Sequence, residues 1–121
     1  NGKKYDTRDG TTIRDFIHVS DLSEVHYKLS KLIIKKKIFL KLNCGYGFGF
    51  SVLEVLQEFI RVSKKRINYK FVKKRKGDII ASISNSSKLK KIIKWKPKYH
   101  SLSYLVKSSL NWYKKNERLI N

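Results

Sequence analysis

The stretch Lys41-Leu42-Asn43-Cys44-Gly45-Tyr46-Gly47-Phe48-Gly49-Phe50-Ser51-Val52, KLNCGYGFGFSV, runs from apolar residues through three glycines into a segment of helical periodicity. A strand, a glycine-rich turn and a helix in that order can cradle the pyrophosphate of a dinucleotide. That fingerprint needs G-x-G-x-x-G and an acid about 20 residues further on. Here the spacing is G-x-G-x-G, Phe50 stands in the place of the third glycine, and the later region is SKKRIN, without an acid. A phenyl ring at that place obstructs close helix packing, and no acceptor for a ribose hydroxyl follows. The glycines are therefore read as a tight turn that shapes the fold.

Outward from this turn the pattern alternates short apolar runs with amphipathic ones. Ile38–Leu42, IFLKL, reads as a largely buried strand. Ser51 three residues before Glu54 forms a capping-box pattern, and Val52, Val55, Leu56, Phe59 and Ile60 give one apolar helical face that fades near Lys64. Upstream, Leu22, Val25, Leu29, Leu32 and Ile33 predict a helix from Asp21 to about Ile34, with Ser20 or His18 near its start. Residues 1–16 read as a loop with an Asp9-Gly10 turn leading into a short extended piece. Downstream, Ile67–Val72, INYKFV, alternates as a strand. Asn85 or Ser86 is placed to cap the short helix SKLKKIIKW, which Pro97 stops, and a last amphipathic helix begins near Ser101 or Ser103. The class is α/β, with short strands and about four helices.

The 121 residues suffice for one core, and 40% hydrophobic content argues against disorder. The chain has no methionine and begins at Asn1, which suggests a piece of a longer protein. No apolar run approaches the roughly 20 residues that span a bilayer. The lone Cys44 permits no internal disulfide and suits a reducing, cytoplasmic setting. The formal net charge of +20 raises nucleic-acid binding as a possible reading. Its lysines, however, are scattered through every element and outnumber the arginines that read phosphates and bases best. Salt-sensitive adsorption to polyanions is expected, without specific nucleic-acid recognition.

Two segments concentrate chemistry. DGTTIRDFIHVSDL, residues 9–22, carries Arg14 and Asp15 at the mouth of an extended piece; KKRKGD, residues 73–78, carries Arg75 and Asp78. A guanidinium clamps phosphate through paired N–H groups, and a carboxylate accepts from sugar hydroxyls. Together the two segments suit a nucleoside diphosphate. His18, His26 and His100 have no metal-site spacing, and His18 is read as a hydrogen-bonded structural residue.

These two segments, with NCGYGFGFSVLEV between them and WKPKY after them, resemble in order and spacing the C-terminal part of UDP-glucose 4-epimerases, members of the extended short-chain dehydrogenase/reductase group. The resemblance covers nearly the whole chain. It implies NAD-dependent interconversion of UDP-glucose and UDP-galactose. It further implies that Arg14 contacts UDP, that Arg75 binds the diphosphate, that Asp78 accepts from the uridine ribose, and that Ser82 bounds the sugar pocket, where its small side chain leaves room for an N-acetyl group. In the family the NAD-binding Rossmann domain and the catalytic Tyr-x-x-x-Lys pair lie in the N-terminal half. Residues 1–121 are then the UDP-sugar-binding region alone. Catalytic and cofactor-binding residues are expected outside this chain, no metal is expected, and the chain by itself is expected to be inactive. Tyr104 to Lys107, YLVK, has the wrong spacing for that pair. The family is commonly homodimeric. Lys94 stands where the family has a glycine before the tryptophan, and Lys74 replaces one arginine of its usual pair. Two alternatives remain: another dehydratase or epimerase of the same group, and a small basic nucleic-acid-binding protein.

Overall fold

A computed structural model describes residues 5–120. Its elements in chain order are β1 (Ile13–Arg14), α1 (Val19–Lys36), β2 (Phe50–Ser51), α2 (Val52–Ser63), β3 (Ala81–Ser82), α3 (Ser87–Ile93) and α4 (Leu102–Ile120). β1 lies at the centre of a small sheet of order β2-β1-β3. It pairs antiparallel with β2, Ile13 opposite Ser51, and parallel with β3, so that Arg14 sits opposite Ser82. Four helices around short strands agree with the class read from the sequence.

The helices form where local chemistry prescribes them. His18 is the N-cap of α1, its Nδ1 accepting from the Ser20 amide at 3.1 Å, so the helix starts slightly ahead of the expected Asp21. In α2 the capping box is complete: the Glu54 amide donates to Ser51 Oγ at 3.0 Å, and the Ser51 amide donates to Glu54 Oε2 at 2.7 Å. Asn85 Oδ1 receives the Ser87 amide at 3.1 Å, while Ser86, at the cap position of α3, gives its hydroxyl to the Gly45 carbonyl instead. Ser101 Oγ accepts from the Tyr104 amide at the start of α4. α1, α2 and α3 end on lysines in the left-handed region, Lys37, Lys64 and Lys94, with φ of 50°, 55° and 48°.

Two expected strands do not form. Residues 38–42 have no regular structure, and Phe39 is 82% exposed. Residues 67–72 contain one isolated bridge residue, Val72, and Ile67, Tyr69 and Phe71 are exposed. The apolar pattern of both segments is that of strands, but a ladder also needs distant partners for its backbone groups, which the local pattern does not encode. Both sides of β1 are taken, and its partners are two residues long.

The core is compact. Val25 of α1, Tyr46 of the glycine turn, Leu89 of α3 and Trp95 form its centre, with Ile17, Leu29, Leu42, Cys44, Ile93 and Leu105 packed against them. Tyr46 stacks on Trp95 at 6.2 Å. The fully buried carboxylate of Asp21 ties these pieces together: it accepts from the Tyr46 hydroxyl at 2.7 Å and from the Lys98 and Tyr99 amides at 3.0 Å each. Burial alone would raise its pKa, but these donors outweigh that effect and hold the carboxyl below its ordinary value. The WKPKY segment is thereby anchored to the start of α1.

Candidate functional site

The site grows from β1 and the residue that follows it. Asp15 turns its carboxylate toward the glycine loop and accepts from the amides of Tyr46 at 3.0 Å, Gly47 at 3.2 Å and Ser84 at 3.2 Å. Three converging amides form a cradle for negative charge, and the charge it holds is the protein's own. The glycines permit this approach. A Cβ on Gly45 would collide with the Asp15 carboxylate and the Ser84 side chain, and one on Gly49 would lie 2.6 Å from Ile13 Cγ2 and 2.8 Å from the Arg14 carbonyl oxygen. The turn is therefore pressed against β1, as its reading as a fold-shaping element requires. Because Asp15 consumes the amides of Tyr46 and Gly47, the loop does not fit the pyrophosphate of NAD.

With Asp15 drawn inward, Arg14 faces the other way. Its Nη1 donates to the Ile13 carbonyl at 2.8 Å, and its Nη2 donates to Asp78 Oδ1 at 3.1 Å. Two of the residues singled out in the sequence, 64 positions apart, thus meet as an ion pair that is partly exposed on both sides. The β1–β3 register adds a third, because Ser82 lies beside Arg14 on the adjacent strand, with an exposed side chain. Arg75 is joined to the group through the backbone: the Asp78 amide donates to the Arg75 carbonyl at 3.3 Å, and the Arg75 side chain is exposed. The Arg14 guanidinium and the Asp78 carboxylate thus stand together beside one short strand, with the exposed Arg75 on the adjoining turn.

One contributor escaped the sequence reading and another was given a different role. Tyr5 is 4% exposed, and its hydroxyl donates to Asp78 Oδ2 at 2.7 Å. Asp15 was read as a chemistry-bearing neighbour of Arg14, whereas it supports the loop. No local pattern signals either contact, since the partners lie 73 and 31 to 69 residues away. His18 is structural, as expected. Its Nδ1 caps α1, which leaves Nε2 to carry the ring proton toward Ser108 Oγ at 2.9 Å. Among the described residues, no group of three or more His, Cys, Asp or Glu is placed to hold a metal ion, and no helix is long and apolar enough to cross a membrane.

Solved structures with the extended short-chain dehydrogenase/reductase fold superpose on the chain over their C-terminal part. The "UDP-Glc/GlcNAc 4-epimerase" of Campylobacter jejuni matches with a TM-score of 0.85 and 40% identity, over 94% of this chain and 34% of that one. A UDP-glucose 4-epimerase from Stenotrophomonas maltophila, solved with NAD and formylated UDP-arabinopyranose, matches with a TM-score of 0.89 and 32% identity, over 98% and 35%. By sequence, the UDP-glucose 4-epimerase of Bifidobacterium longum is 40% identical over 115 residues, 95% of this chain and 33% of the relative. No family model matches. The chain is thus similar to the C-terminal part of UDP-glucose 4-epimerases, and it spans about a third of the length of the relatives it matches.

Proposed function

We propose that this chain is the UDP-sugar-binding part of a UDP-glucose 4-epimerase, with Arg14 and Arg75 holding the diphosphate end of UDP and Asp78 accepting from its ribose. The observation that carries this reading is the meeting of Arg14 with Asp78 at 3.1 Å beside Ser82, which gathers cation, acceptor and a small side chain at one place. Ser82 bounds the sugar and leaves space for a substituent at its C2. NAD, the hydride carrier of the reaction, belongs to a nucleotide-binding half outside residues 1–121. The complete enzyme interconverts UDP-glucose and UDP-galactose in the cytoplasm, as a pair of subunits. A groove of about 470 Å³ between the start of α1 and α4, lined by Ile17, Val19, Leu105 and Trp112, supports the idea that a further part of the protein covers this face. Without that half, the chain is expected to turn over no UDP-galactose even with NAD added.

Calorimetric titration with UDP tests the binding role. Removing a charge-assisted, paired contact costs roughly 1.5–3 kcal/mol, so Arg75→Ala and Asp78→Asn should each weaken UDP about tenfold or more. Equal affinity in the parent chain and both variants would overturn the reading.

A further inference from the structure

We infer that Tyr5 is a positioning residue of the nucleotide site, fixing the orientation in which Asp78 meets the ribose. The inference rests on the reading above that Asp78 is the ribose acceptor. It deepens that reading by naming what holds the acceptor in place.

Asp78 ends an exposed basic turn, and residues 71–77 are all exposed. Such a turn does not by itself define the direction of a carboxylate. Two side chains from elsewhere do so: Arg14 Nη2 on Oδ1 at 3.1 Å and the Tyr5 hydroxyl on Oδ2 at 2.7 Å. One donor on each oxygen sets the carboxylate plane, and each oxygen keeps acceptor capacity for a sugar hydroxyl. A single donor would leave rotation about the remaining bond.

Tyr5 is itself held. Its amide donates to the Gly10 carbonyl at 3.3 Å, its carbonyl accepts from the Thr7 amide at 2.9 Å, and Lys74 Nζ stands 4.8 Å above its ring. The loop it starts is fastened further on, where Asp9 Oδ1 accepts from the Thr11 amide and hydroxyl at 2.8 and 2.7 Å, and Asp9 Oδ2 accepts from Ser51 Oγ. Tyr5 therefore connects the acceptor to the capped start of α2 through a fixed loop. Burial and the adjacent carboxylate push the phenol above its ordinary pKa, so the hydroxyl remains a donor. Lys74 on the ring face joins the same turn to the same residue.

The test is titration of the 121-residue chain with UDP and with 2′-deoxy-UDP. Tyr5→Phe removes the hydroxyl and keeps the ring under Lys74. It should weaken UDP about fivefold and lower the preference for UDP over the deoxy nucleotide about threefold. In an Asp78→Asn background the same substitution should have no further effect. The preference is a ratio of two affinities on one folded population, so partial unfolding of a variant leaves it unchanged. If Asp78→Asn weakens UDP but Tyr5→Phe leaves both affinity and preference intact, Tyr5 is only a packing residue and the inference is overturned. If Asp78→Asn itself has no effect, or no UDP binds, the nucleotide reading fails and the role of Tyr5 fails with it.

Discussion

Asp21 is a carboxylate that the fold has stripped of water and supplied with three donors, from Tyr46, Lys98 and Tyr99. Its folded-state pKa lies below the ordinary value of 3.8, so the stability it contributes is complete above that value and is lost as pH falls through the folded-state value. Two outcomes are expected from urea denaturation. Asp21→Asn should cost about 3 kcal/mol at neutral pH, because an amide nitrogen then faces donors. Below about pH 4 the parent chain should lose stability more steeply than the variant, narrowing the difference between them. A constant difference down to about pH 2 would exclude this role. The residue shows where the sequence stops being informative. Arg14, Arg75, Asp78 and Ser82 could be singled out as candidates because each stands in a motif on which the family resemblance rests. Asp15, Asp21 and Tyr5 act through partners brought close by the fold, and their neighbours in sequence carry no trace of those partners.

Three helices end on a lysine held at positive φ, where glycine is the usual solution. Lys94 is the instructive case, since the family resemblance leads one to expect a glycine at this place. A side chain in this conformation costs about 1–2 kcal/mol, partly offset by the lysine's favourable charge at a helix C-terminus and by the greater freedom that glycine has when unfolded. Lys94→Gly is expected to stabilise the chain by about 1 kcal/mol and to raise Tm by about 4 °C, while Lys94→Ala gives no comparable gain. Calorimetric melting of the three proteins checks this, and a neutral or lower Tm for the glycine variant would contradict it. Helices were also the readable part of the fold. Spacing, the Ser51–Glu54 box and Pro97 act within a few residues, so their consequences lie in the local sequence. The strands were not readable in the same way: Ile38–Leu42 and Ile67–Val72 have strand composition but form no regular strand beyond the bridge at Val72, whereas β1 falls in the short extended piece expected before Asp15 and β2 has no sequence signature of its own.

Across the whole molecule, a net charge of +20 is spread over a small surface that also exposes Ile34, Phe39 and Trp112. Self-repulsion opposes compaction at low ionic strength, and the screening length falls from about 30 Å at 0.01 M salt to about 10 Å at 0.1 M. Thermal melting should therefore move upward by several degrees over that range, and a salt-independent Tm would show that the charges are already balanced. The apolar surface sets the opposite limit, because screening also removes the repulsion that keeps such surfaces apart. The parallel pairing of β1 with β3 has a consequence in time as well as in space. Helices propagate within about a microsecond, but Arg14 and Asp78 meet only after the 64-residue span between them has been brought round. Closing so long a loop costs entropy before any contact returns it. The residues proposed to hold the nucleotide are therefore expected to assemble late and to separate early, so a bound nucleotide would act chiefly as a brake on unfolding.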